Sequence, residues 1–265
     1  MAAALLASAP ALAGSFVAPN CEQATSGAAV SLARAESRWT ETASSGRRLV
    51  REAGALWGPQ LDAWLDCGAL ELQGRLSYLD GTRSYDGQTF AGAPAQTTSS
   101  VQHLRARAQA SWRVAPSWQV GVRLGREMAW RDIASTPVAN GYPERYELPM
   151  AAVGAAWQGA LGAGRLSVGG WVGRDLGARL RLWLPSFDVT SLDLARLSSA
   201  EAEVALSWPL SPSADLSLGM GVRRLRMGQG PARVLTRNGV PGGVAFQPAT
   251  TLMEIPVAVG VALRF

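Results

Sequence analysis

The chain has 265 residues, with 25 basic residues, all arginine, against 20 acidic ones and a formal charge of +5. Only 17% of residues are charged while 48% are hydrophobic, which is sparse in charge for a soluble domain and too apolar for disorder. One His and two Cys exclude a disulfide-dense scaffold, a four-cysteine metal site and most zinc sites, so no metal and no cofactor is expected.

The arginines are spread along the chain rather than clustered, which argues against nucleic acid as a partner. The N-terminus is small and apolar, and Ala11-Leu12-Ala13 fits the small-x-small cleavage rule. Residues 1–13 are therefore expected to be a secretory signal peptide, followed by one domain over 14–265. Export permits a disulfide between Cys21 and Cys67. Beyond this segment no run of 18 apolar residues occurs, so spanning helices are excluded.

The rest of the chain alternates with period two. Leu70, Leu72, Gly74, Leu76 and Tyr78 alternate with Glu71, Gln73, Arg75 and Ser77. Leu104, Ala106, Ala108, Ala110 and Trp112 alternate with His103, Arg105, Arg107, Gln109 and Ser111. The last stretch sets Met253, Ile255, Val257, Val259, Val261, Leu263 and Phe265 on one face. Alternation predicts strands. Ten are expected, at 30–43, 47–57, 67–80, 99–114, 118–132, 144–160, 164–183, 192–209, 214–229 and 250–265. Soluble strands average about 5–6 residues, whereas most of these exceed the roughly nine that cross a bilayer on a tilt. The expected fold is all-β: a closed antiparallel transmembrane β-barrel of about ten strands in meander order, apolar face to lipid and polar face to lumen.

The connections support this. Ala115-Pro116-Ser117, Gly162-Ala163-Gly164 and Ser211-Pro212-Ser213-Ala214 are short, while 81–98, 133–143, 184–191 and 230–249 are longer and rich in Gly, Pro, Ser and Thr. Short periplasmic turns against long outer loops is the asymmetry of barrels in the outer membrane of Gram-negative bacteria. An even strand number then leaves both termini in the periplasm. Trp57, Trp64, Trp112, Trp118, Trp157 and Trp208 fall at the expected periplasmic ends, and Trp39, Trp130 and Trp183 near the outer ends, as two aromatic girdles require. A last strand ending in Phe265 resembles the signature by which outer-membrane proteins are recognised, which implies the barrel-assembly machinery as a partner.

Ten strands enclose little space. Arg34, Arg38, Arg75, Arg105, Arg107, Arg113, Arg123, Arg165, Arg179, Arg181, Arg223 and Arg264 are assigned to the lumen. Facing them are placed Glu36, Glu52, Glu71, Glu127, Glu147, Asp175, Glu201, Glu203 and Glu254. The core of this network is taken as Arg105, Arg107, Arg123, Glu127, Arg179, Arg181, Glu201 and Glu203. A rigid five-donor fork suits arginine to paired interior charges, so the expectation is a salt-bridged, plugged lumen. A narrow anion-favouring channel is the alternative. Pro149 and Pro256 follow Glu147-Leu148 and Glu254-Ile255, and each is expected to mark a bulge with its Glu pointing inward. Arg126, Arg174, Arg196 and Arg224 break the apolar rule on the lipid face. In the outer half of the wall they would meet lipopolysaccharide phosphates, making outer-membrane lipid a partner.

Ten strands with both termini in the periplasm resembles the omptin family of outer-membrane proteases. Gly141-Tyr142-Pro143-Glu144-Arg145-Tyr146-Glu147-Leu148-Pro149-Met150 and Val168-Gly169-Gly170-Trp171-Val172 are similar to two omptin strands. The resemblance covers most of the chain, chiefly as topology. It implies a pair of acids after strand 3 and an Asp-x-His after strand 7. Here Asp80 and Asp86 stand six apart, and Asp188 has no His near it, so the general base is missing. His103 is the one remaining base, with Asp80, Asp86, Glu147 and Glu254 as its candidate partners. Ser99 and Ser100, taken as loop residues, admit a Ser–His reading similar to lipid A deacylase barrels, but no His-x-Ser motif is present. The reading is a non-catalytic outer-membrane barrel, with a surface hydrolase as a further alternative.

Overall fold

A computed structural model describes residues 21, 24–88 and 92–265. The expected signal segment, 1–13, lies outside the described residues. The strands are β1 (Thr25–Thr42), β2 (Arg48–Asp66), β3 (Leu70–Gln88), β4 (Pro94–Ala115), β5 (Trp118–Ile133), β6 (Tyr142–Leu161) and β7 (Gly164–Asp175). They continue as β8 (Arg179–Leu182), β9 (Thr190–Asp193), β10 (Ala195–Ser211), β11 (Ala214–Gly228), β12 (Arg233–Arg237), β13 (Val240–Ala245) and β14 (Ala249–Arg264). β8 carries on from β7, and β9 leads into β10, so ten staves result. Each stave pairs antiparallel with the next. β14 returns to β1 over a ladder from Gly27–Arg264 to Thr42–Ala249, which closes the barrel and leaves no edge.

Alternation sorts the side chains. On β14 Met253, Ile255, Val257, Val259, Val261 and Leu263 point outward and stay exposed, while Leu252, Glu254 and Ala262 are buried inside. An exposed apolar band on every stave is stable only against lipid. Trp112, Trp118, Trp157 and Trp208 ring its lower rim beside the short turns. Trp39 and Trp171 are instead buried inside, and Trp57 sits in the middle of β2, because β2 runs nine residues past the 47–57 expected for it.

The staves also outrun the expected 81–98 loop: β3 reaches Gln88 and β4 starts at Pro94, so Ser99 and Ser100 are strand residues. The segment 230–249 carries the β12–β13 hairpin, whose two-residue turn takes left-handed backbone at Asn238 (φ 51°) and Gly239 (φ 77°), as a hairpin of right-twisted strands requires. Pro256 makes no bulge, and Pro149 makes none toward β5. The β5–β6 ladder runs past Pro149 without a shift, and Pro256 pairs in register with Ala35. Leu148 and Met150 simply face inward and Val153 outward. On the other side of β6 the pairing moves by one residue between Met150–Asp175 and Glu147–Arg179, with Leu176 N donating to Pro149 O at 2.8 Å, so the wall is irregular beside Pro149 as expected. The stave formed by β7 and β8 is interrupted at Leu176–Ala178, with Gly177 at φ 99°, and β10 bulges at Arg196, φ 22°.

Candidate functional site: the barrel interior

The interior has a dry half toward the long loops and a wetter half toward the short turns. On the loop side, inward leucines of β6, β8, β10, β11 and β14 pack together with Leu192 and Leu194, and Leu235 and Ala245 of the hairpin cover them. These leucines were not expected in a lumen. Leu180 and Leu182 become inward residues because the break at Gly177 switches the alternation of that stave and turns Arg179 and Arg181 out, whereas Leu148, Leu197, Leu225 and Leu252 are inward by the parity of their own strands. Arg179 and Arg181 are therefore exterior residues, not members of the lumen network.

Beside the leucines lies a first ionic layer centred on Arg131. Its Nη1 donates to Glu144 at 2.7 Å and to Glu41 at 3.1 Å, and its Nη2 to Glu52 at 2.6 Å. Ser99 donates to Glu52 at 2.8 Å, Tyr146 to Glu144 at 2.9 Å, and Trp39 to Glu41 at 2.8 Å. Arg83 is buried between Ser37 at 2.6 Å and Glu52 at 3.7 Å. Sequence reasoning missed Arg83, Arg131, Glu41 and Glu144. The signal was present for Arg131, which shares the parity of Arg123 and Glu127. Arg83 was hidden by the expected loop.

A second layer lies one step toward the turns. Arg105 reaches Glu254 at 2.6 Å and Glu127 at 3.2 Å, and Arg223 reaches Glu127 at 2.6 Å, Glu254 at 3.1 Å and Glu201 at 3.1 Å. His103 Nδ1 stands 3.3 Å from both Glu127 and Glu254 and 2.7 Å from Arg105. Burying such charges is tolerated only when each is paired, and here two guanidiniums face two carboxylates, Glu127 and Glu254, beside the histidine, while Glu201 is shared with Arg107 and Arg123 of the next layer. A third layer joins Arg123 to Glu203 and, at 3.4 Å, to Glu201, with its guanidinium 3.5 Å over the Trp171 ring. Arg107 approaches the same glutamates, and Arg75 pairs with Asp62.

Of the candidate catalytic set, the structure brings together only His103 and Glu254. Asp80, Asp86 and Glu147 occupy outward positions, on the far side of the wall from His103. Asp86 pairs with Arg48 at 2.9 Å, and Glu147 with Arg145 at 3.0 Å and Arg126 at 3.1 Å. Ser99 is inward but bonded to Glu52, and Ser100 is outward. Arg34, Glu36 and Arg38, expected in the lumen, also lie outside. They share the parity of the exposed Val30 and Leu32, while Ala33, Ala35 and Ser37 turn inward under Leu56 and Arg83.

The exterior arginines gather above the apolar band. Arg174, Arg224 and Arg226 lie on the adjacent staves β7 and β11 about Ser198 and Ala200 of β10, and Arg38 follows beyond Met253 of β14. Among the described residues these four, with Arg51, Arg181 and Arg196, have no carboxylate partner, whereas Arg126 is paired with Glu147. At the turn end Cys21 and Cys67 are bridged. At the loop end the exposed Asp188 carboxylate accepts from Thr236 Oγ1 at 2.6 Å and from the amides of Gly239 at 3.0 Å and Asn238 at 3.1 Å. These bonds, led by that from Thr236, hold its pKa below the usual value.

No family model matches the chain, and no curated protein does either. Solved structures do match. The outer membrane protease OmpT from Escherichia coli shares 9% identity over 95% of this chain and 99% of that one, with a TM-score of 0.55. The translocator domain of autotransporter NalP from Neisseria meningitidis shares 13% identity over 90% and 88%, with a TM-score of 0.49. The toluene transporter TodX of P. putida shares 9% over 92% and 90%, at 0.36. At such identities the likeness to OmpT is one of fold: the chain has the fold of an outer-membrane β-barrel.

Proposed function

We propose that the protein is an integral barrel of the Gram-negative outer membrane, closed to solute flow and non-catalytic, with its long loops outside and both termini in the periplasm. The observation that carries this reading is the filled loop-side half of the interior. The Arg131 layer and the leucine cluster occupy it together, and Glu52, Arg83, Leu225 and Leu252 retain almost no accessible surface. A conducting pore of this strand number would need that half empty. His103, the base a hydrolase would require, is enclosed by two carboxylates and the Arg105 guanidinium, and is almost fully buried. Refolded protein in a planar bilayer is expected to be electrically silent. Steady, anion-selective steps would overturn the closed-barrel reading and favour the channel.

The same reading gives the exterior arginines a role. Arg174 and Arg224, together with Arg38 and Arg226, hold lipopolysaccharide phosphates above the apolar band, since an unpaired guanidinium offers bidentate donors at the depth where phosphates lie. Arg126 contributes less, being engaged by Glu147, and Arg196 extends the patch from its bulge. Assembly proceeds through β14 and the Phe265 that follows it. Replacing Arg174 and Arg224 with Ala together is expected to reduce the lipid A retained on the purified, folded barrel severalfold. Unchanged retention would remove this role.

A further inference from the structure

Below the His103 layer the barrel is hollow. A cavity of about 390 Å3 lies there, room for about a dozen waters at roughly 30 Å3 each. Its two walls differ. Staves β3, β4 and β5 supply long polar side chains such as Gln73, Arg75, Arg107 and Arg123, while β6, β11 and β14 supply Ala152, Ala156, Gly219 and Ala258. A Cβ built on Gly219 would meet nothing within 4 Å, so that side is open space rather than a packed contact. Water reaches this half and not the other. Arg75 and Glu203 keep 35% and 33% of their side-chain surface accessible, against 1% for Glu254 and 0% for Glu52. The inward residues Ala160 and Ala205, near the short turns, are exposed, so the chamber communicates with the turn end.

One charge in the chamber is incompletely used. Arg75 and Arg107 stand directly opposite each other on β3 and β4, both facing inward. Like charges in that relation are unfavourable unless something neutralises them. Arg75 is neutralised by Asp62. Arg107 comes only within 3.5 Å of Glu201 and 3.8 Å of Glu203, and it makes no hydrogen bond among the described residues. Arg123 is the contrast: the same two glutamates, Gln109 and the Trp171 ring hold it. A guanidinium with spare donors beside a second one, facing solvent-accessible space, is the arrangement that takes an oxyanion in bidentate fashion.

We propose that this chamber is a binding site for a small solute carrying a carboxylate or phosphate group, entering from the turn end and docking on Arg107 beside Arg75. The amides of Gln60 and Gln73 line the same space and receive the polar remainder of the ligand. The site holds a ligand under a closed roof, so binding requires no conduction.

The test is calorimetric titration of the refolded full chain in detergent with succinate and with inorganic phosphate, with glucose as the uncharged control. Saturable one-site binding of either anion and none of glucose is expected, and the preferred anion identifies the class. Arg107→Gln is expected to weaken binding at least about tenfold, the loss of a charge-assisted bond. Gly219→Leu, whose Cβ meets nothing within 4 Å and which takes up chamber volume, is expected to abolish it. Both variants should retain the mobility shift of a folded barrel on unboiled gels, which separates loss of the site from loss of the fold. The absence of saturable heat from both anions in the unaltered chain would overturn the proposal. Undiminished affinity in folded Arg107→Gln or Gly219→Leu would overturn it equally.

Discussion

Neutralising Glu254 is the sharpest probe of the interior network. Its carboxylate accepts from Arg105 Nη2 at 2.6 and 2.7 Å and from Arg223 Nη1 at 3.1 Å, and it is almost fully buried. Glu254→Gln keeps the shape and one acceptor but removes the charge. Charge-assisted bonds contribute about 1.5–3 kcal/mol each, and removing one partner of a buried ion pair costs about 3–5 kcal/mol. Glu127 still faces both guanidiniums, at 3.2 and 2.6 Å, so the lower end, about 3 kcal/mol, is expected. The exposed Arg48–Asp86 pair at the loop end provides the control, for which Asp86→Asn should cost about 0–1 kcal/mol. Urea unfolding from lipid vesicles, followed by tryptophan fluorescence, measures both. Adding Arg105→Gln to Glu254→Gln should cost less than the sum of the single changes, because one removed charge relieves the other. A Glu254→Gln variant within about 1 kcal/mol of the parent, or indistinguishable from Asp86→Asn, would refute the argument that buried pairing holds this half together.

Three further outcomes follow from the geometry. Leu76→Arg places a charge on the apolar exterior and is expected to cost about 2–4 kcal/mol if that face meets lipid near the midplane; a neutral effect in vesicles would contradict the assignment of the band. The Cys21–Cys67 bridge closes a separation of 46 residues, so Cys67→Ser is expected to lower stability by about 4 kcal/mol on chain-entropy grounds relative to the oxidised parent, while the reduced parent should match the variant. Asp188 ties the β12–β13 hairpin to its neighbouring loop through bonds that depress its pKa. Such a group stabilises above its ordinary value and loses that contribution as pH falls through its lowered one. Protection of the Asn238 and Gly239 amides, meaning exchange relative to the intrinsic rate at the same pH, should therefore fall on acidification, and in Asp188→Ala it should already be low at neutral pH.

Much of the fold was legible before any coordinates. Ten staves, their order and most of their ends were written in alternation, and β5 and β6 differ from expectation by two residues or fewer. The inward placement of Arg105, Arg107, Arg123, Glu127, Glu201 and Glu203 also follows from parity alone. Parity failed where charge was allowed to outvote it. Arg34, Glu36 and Arg38 share a face with Val30 and Leu32 and lie outside with them. Asp86 falls in the expected loop and Asp80 at the end of its expected strand, although the even positions from Leu70 onward continue outward through both.

Sequence alone determined the period, hence the apolar exterior and the closed barrel, because side-chain alternation is a property of each strand by itself. Tertiary structure decided which charges meet. Arg105 and Glu254 are 149 residues apart, and only closure of the ring brings them to 2.6 Å. It also decided the two features that make the interior asymmetric. A left-handed turn at Gly177 reverses one stave and adds Leu180 and Leu182 to the leucine cluster of the loop side. A wall of small residues opposite Arg107 leaves the turn side hollow. Neither is local: each depends on what the facing staves present across the lumen, and one-dimensional periodicity carries no record of the opposite wall.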